Sequence, residues 1–156
     1  EWHLPGLDGD TVHFDSRNIT KPTILAIQGS WCPNCMDETR FFADWYSKQD
    51  TEQVEIIGLA YESKDDFEYA KSRVLKMKEK LNVPYDFVIA GTSSKQKASE
   101  SLPMLSQVLS FPTTIFIDKK GEVRKIHTGF SGPATGKYYT RYVEEFNILM
   151  NELINE

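Results

Sequence analysis

Apolar positions along this 156-residue chain recur in two rhythms, and the change between them marks the elements. Leu7-Asp8-Gly9-Asp10 is a turn signal, and Thr11-Val12-His13-Phe14 alternates after it, which predicts a short N-terminal hairpin. Thr23-Ile24-Leu25-Ala26-Ile27 is a compact apolar run of strand length, as a central strand buried on both faces requires. From Pro33 the rhythm turns helical, with Met36, Phe42, Trp45 and Tyr46 near one face and Asp37 and Glu38 expected in the first turn. Val54 to Tyr61 reads as the next strand. Phe67, Ala70, Val74, Met77 and Leu81 then step by three and four, an amphipathic helix from about Asp65. Pro84 to Ala90 is expected to be a strand, with Asp86 awkward in its middle. Lys95 to Leu109 favours helix interrupted at Pro103.

The β-branched run Thr113-Thr114-Ile115-Phe116-Ile117 predicts a strand that turns through Asp118-Lys119-Lys120-Gly121 into a partner at Glu122 to Thr128. After a glycine-containing loop, Gly129 to Gly136, a closing helix carries Tyr142, Phe146, Leu149, Met150 and Leu153 on one face. Strands and helices alternate over the first two-thirds, without repeat or linker. The expectation is one α/β domain over residues 1–156.

Composition changes this picture little. No apolar stretch is long enough to cross a bilayer. A net charge of −5 argues against nucleic acid, which needs a concentrated basic face. The one basic cluster, Lys71 and Arg73 through Lys76, Lys78 and Lys80, reads as a solvated helix face. The chain starts at Glu1 rather than methionine, so a mature or trimmed form is expected, with any leader or anchor out of view.

The two cysteines change everything. Both lie in Trp31-Cys32-Pro33-Asn34-Cys35, directly after the first long strand, and a Cys-x-x-Cys pair can close a disulfide within one helical turn. Cys32 is expected at the helix N-terminus, where unpaired N–H groups and the dipole favour a thiolate, and Cys35 one turn inside. Cys32 would attack a partner disulfide and Cys35 would resolve the mixed disulfide. Structural zinc is the competing use of such a pair, but it needs four ligands, and only His3, His13 and His127 remain as nitrogen donors, without a second cysteine pair. No metal and no cofactor are expected. A peroxidatic cysteine would have threonine or serine three residues earlier and a proline further upstream; those positions hold Gly29 and Leu25.

The Trp-Cys-Pro-x-Cys motif after an apolar strand, followed by Phe111-Pro112-Thr113 opening another, resembles the thioredoxin superfamily. The separation of 77 residues from Cys35 to Pro112 leaves room for an extra helix and strand. With the N-terminal hairpin and Tyr61-Glu62-Ser63-Lys64, this is similar to TlpA/ResA-like cell-envelope thiol–disulfide oxidoreductases. The resemblance implies a thioredoxin fold: a central mixed sheet flanked by helices, with an N-terminal β-hairpin and a central helix–strand insert. It implies that Pro112 is cis and that Phe111 and Thr113 offer main-chain groups to a bound polypeptide, with Trp31 and Pro33 beside the sulfurs. Minimal thioredoxins keep a buried aspartate six residues before the first cysteine, where this chain has Ala26, and Glu62 is the residue expected to take over proton transfer.

The activity expected is reduction of protein disulfides in the periplasm or another extracytoplasmic compartment. Its partners would be a disulfide-containing client and an electron-donor dithiol protein, for which a membrane-embedded one is a candidate. A disulfide-forming oxidase and a redox-inert binding module of the same fold are the alternatives.

Overall fold

The computed structural model describes residues 1–92 and 111–156; the helix expected over Lys95 to Leu109, with its break at Pro103, lies outside them. The chain opens with a hairpin in which Trp2–Pro5 (β1) pairs antiparallel with Thr11–Phe14 (β2). The arm preceding the turn is thus Trp2–Pro5, and Trp2 stacks on Phe14 across the pair with ring centroids 5.1 Å apart.

Thr23–Gln28 (β3) is buried at every position, as expected of a central strand. The chain then runs through helix α1 (Pro33–Ser47), strand β4 (Glu55–Glu62), helix α2 (Phe67–Leu81) and strand β5 (Asp86–Thr92). Thr113–Ile117 (β6), Val123–Thr128 (β7) and helix α3 (Lys137–Asn155) complete it. Apart from the β1–β2 hairpin, the described strands form a five-stranded sheet ordered β5-β4-β3-β6-β7. β4 runs parallel to both β3 and β5, whereas β6 runs antiparallel to β3 and β7. Each parallel step needs a crossover, and α1 and α2 supply the two.

Alternation along the strands divides the core into two layers. Ile24, Ala26, Ile56, Ala60, Phe87, Ile89 and Phe116 face α1, α2 and α3, where Phe42, Val74, Met77 and Phe146 meet them. Leu25, Ile27, Ile57, Leu59, Val88, Ile115 and Ile117 face the other way and pack with Trp2 and Phe14 of the hairpin. Burying a side chain such as Phe146 stabilises the fold by roughly 1.5–3 kcal/mol.

Two expectations shift by a few residues, each for a local reason. Asp66 caps α2, accepting the Tyr69 N–H at 3.1 Å, so the helix starts at Phe67. Asp86 opens β5 rather than interrupting it, and its side chain is exposed.

Candidate functional site

The site forms where β3 ends and α1 begins. Cys32 has extended backbone, φ −98° and ψ 110°, and caps α1; its Sγ accepts the Cys35 N–H at 3.2 Å. Pro33 fills the first helical position, where a missing N–H costs nothing, and stands exposed beside Asn34. The two sulfurs are free thiols, and they differ in access: Cys32 is 6% exposed and Cys35 not at all. Burial pushes the Cys35 thiol well above the ordinary range, and the hydrogen bond with Cys32 and the Glu38 charge push the same way.

Across from the helix tip, Phe111-Pro112 is a cis peptide bond, as the resemblance implied. The Cys32 thiol points at the Phe111 carbonyl, with Sγ and O 4.0 Å apart. Pro112 is buried, and its own carbonyl accepts the Gly129 N–H at 2.7 Å. Thr113 lies inside the sheet, opposite Ile27 on one side and Thr128 on the other, and the carbonyl that faces the Cys32 sulfur is that of Phe111.

Trp31 joins the two motifs. Its indole N–H donates to the Tyr61 carbonyl at 2.8 Å, its ring meets Phe111 edge-on at 5.5 Å, and 43% of the residue remains exposed. Gly29 makes this possible, because a Cβ there would lie 2.1 Å from Trp31 Nε1 and 2.7 Å from the Tyr61 carbonyl. The threonine or serine of a peroxidatic site has no room at that position.

Glu62, expected beside the cysteines as a proton carrier, is buried at the end of β4 with its carboxylate engaged by Ser30. The Ser30 N–H donates to Oε2 at 2.8 Å and the Ser30 hydroxyl donates to Oε1. Glu62 therefore holds the loop that leads into Trp31-Cys32.

The acid placed beneath the inner thiol is Glu38, which sequence reading grouped with Asp37 as a first-turn residue. The first turn of α1 holds no acid; Glu38 lies one turn beyond Cys35, 1% exposed, and accepts the Thr114 hydroxyl at 3.1 and 3.2 Å. Burial pushes its carboxyl up to about 8, with the Thr114 hydrogen bond opposing. Its spacing was the available signal: position 38 is three after Cys35 and four before Phe42, hence on the buried stripe.

The histidines sit on other elements. His3 and His13 face each other on the hairpin, rings 4.1 Å apart, and come together with Glu1 at an exposed spot. His127, on β7, packs against the Tyr142 ring.

The match to known proteins agrees with this geometry. Residues 1–126 match the model of the AhpC/TSA family. The chain belongs to the AhpC/TSA family. Among curated proteins, it is 22% identical over 139 residues to sporulation thiol-disulfide oxidoreductase A of Bacillus subtilis, covering 89% of this chain and 75% of that one. It is 28% identical over 109 residues to the thiol:disulfide interchange protein DsbE of Pasteurella multocida, covering 70% of this chain but only 51% of DsbE. A solved thiol-disulfide isomerase from Corynebacterium glutamicum superimposes with a TM-score of 0.73 at 14% identity, over 100% of this chain and 95% of that one. This AhpC/TSA member therefore has the thioredoxin fold, with its relatives of the TlpA/ResA/DsbE type.

Proposed function

We propose that this protein is a thiol–disulfide oxidoreductase that reduces protein disulfides, with Cys32 attacking and Cys35 resolving. One observation carries the reading: Cys32 caps α1 with Sγ on the Cys35 N–H, while Cys35 is sealed beneath it. The Cys32 thiolate attacks one sulfur of the client disulfide, forming a mixed disulfide and releasing the other client sulfur as thiolate. Cys35 then gives up its proton and attacks Cys32 Sγ. The bond to the client breaks, the second client thiolate leaves, and a Cys32–Cys35 disulfide remains. Two electrons from a donor dithiol protein restore the pair.

Glu38 is the group we assign to the Cys35 proton. A carboxyl raised to about 8 by burial exchanges its proton just above neutral pH, and it lies on the same face of α1 one turn away. Glu62 serves as a positioning residue through Ser30. Phe111 and Trp31 flank the attacking sulfur, where a client segment can lie along the Phe111-Pro112 main chain with an apolar side chain on the indole.

The reducing direction rests on the TlpA/ResA-like resemblance, and a reduction potential near that of thioredoxin, about −270 mV, rather than near that of DsbA, about −120 mV, is the expected result. The extracytoplasmic setting rests on the TlpA/ResA-like resemblance. Coupled reduction of insulin by dithiothreitol tests the activity. Turnover that vanishes in Cys32→Ser is the expected result, and no turnover by the wild type contradicts it.

A further inference from the structure

α1 and α2 run side by side over the same face of the sheet, and a groove of about 190 Å³ opens between them beside the cysteines. It starts at Ser30, two residues before Cys32, and passes Met36, the residue after Cys35. Met36 and Met77 are among the residues that line it, giving a soft apolar surface that accommodates side chains of different shape. Arg73, Lys76 and Lys80, spaced by three and four along α2, line the same groove and are exposed. Arg40 lies on the α1 side, tied to Asp37 at 3.1 Å. Arg73, Lys76 and Lys80 make no ion pair among the described residues, and no acid is among the groove's lining residues. This concentration of positive charge stands on a chain whose net charge is −5.

We propose that the groove is a client-recognition site, taking an acidic polypeptide segment with an apolar residue that flanks the client cysteine. The inference rests on the exchange chemistry assigned to Cys32 and adds to it a substrate class. A client held by Cys32 leaves the sulfur in two directions. One leads along Phe111-Pro112, and the other leads past Ser30 into the groove. Carboxylates there meet three cations that make no ion pair among the described residues, and steering by such a patch acts on the encounter rate.

The test uses the reduced protein and two peptides of equal length. Each carries one cysteine capped as a disulfide with uncharged β-mercaptoethanol, flanked by leucine and either glutamates or lysines. Cys32 displaces the cap or the peptide thiolate, and Cys35 displaces whatever remains, so each turnover converts one peptide disulfide to two thiols and the protein dithiol to a disulfide. The acidic peptide is expected to react about tenfold faster at low ionic strength. The advantage should shrink in about 0.5 M salt. It should disappear in a variant combining Arg73→Gln, Lys76→Gln and Lys80→Gln, and reverse with glutamate at the same three positions. Those positions are exposed, and near-ultraviolet circular dichroism checks that both variants are folded.

Hydroxyethyl disulfide, small and uncharged, should be reduced equally by wild type and variants. Equal rates on the two peptides, or a preference that survives in the folded glutamine variant, overturns the groove assignment while the cysteine chemistry stands. Inability of the wild type to reduce hydroxyethyl disulfide overturns the underlying reading instead. Flotation with phosphatidylglycerol vesicles that is lost in the glutamine variant, without any peptide preference, assigns the cations to a lipid surface and also overturns the proposal.

Discussion

The Thr114 hydroxyl of β6 donates to the carboxylate of Glu38 in α1 at 3.1 Å, deep in the core and one helical turn from Cys35. A polar contact at this depth fixes α1 on the sheet and keeps an ionisable group under the inner sulfur. Burial raises the Glu38 carboxyl to about 8 from an ordinary 4.5. Between those values the native state holds a proton that the unfolded chain has lost. Glu38 therefore makes stability fall as pH rises through that window, at up to about 1.4 kcal/mol per pH unit. Glu38→Gln should flatten this part of the curve and be the more stable protein near pH 8, measured by urea unfolding at several pH values. The same variant should slow release of the mixed disulfide more than its formation. A pH slope unchanged by the substitution would remove Glu38 from both roles.

Glu62 acts through the loop. Its carboxylate takes both the N–H and the hydroxyl of Ser30, so Glu62→Ala leaves a part-buried N–H without its acceptor. A loss of roughly 1–3 kcal/mol is expected, with Glu62→Gln recovering part of it through its remaining carbonyl. Positioning predicts a further split. Both variants should change the rate with a peptide disulfide more than with hydroxyethyl disulfide. A shifted pH profile for release of the mixed disulfide in Glu62→Gln would instead return Glu62 to the proton path.

Gly29 leaves no room in the loop for the threonine or serine of a peroxidatic site. Gly29→Thr would drive a side chain into the Trp31 indole and the Tyr61 carbonyl. The indole N–H should lose its partner, visible as a red shift of tryptophan fluorescence, and exchange with peptide disulfides should fall several-fold. Peroxide consumption should not rise. A variant with unaltered fluorescence and exchange would show that Trp31 does not depend on this close approach.

Much of this was legible along the chain, because the deciding patterns are local. The unbroken apolar run at Ile24 to Ile27 and the β-branched run at Thr113 to Ile117 gave strands, and the three–four step from Phe67 to Leu81 gave α2. Cys-x-x-Cys and Phe-Pro are local too, and their facing each other came from the resemblance. Glu38 escaped because an acid near a helix start is ordinarily solvated. Only the stripe of Cys35, Phe42 and Tyr46 shows that this one points inward. The fate of Lys76 and Lys80 could not be read at all: they look like a solvated face until α1 is laid beside α2.

The most direct measurement is the order in which the two thiols of the reduced protein react, followed by mass spectrometry after brief iodoacetamide pulses. Cys32 should be alkylated first across neutral pH, with Cys35 labelled only on unfolding, and Cys35→Ser should accumulate a peptide joined to Cys32. Equal labelling of the two, or a Cys35→Ser protein that captures nothing from a disulfide peptide, would contradict an attacking sulfur at the tip of α1 and a sealed one beneath it.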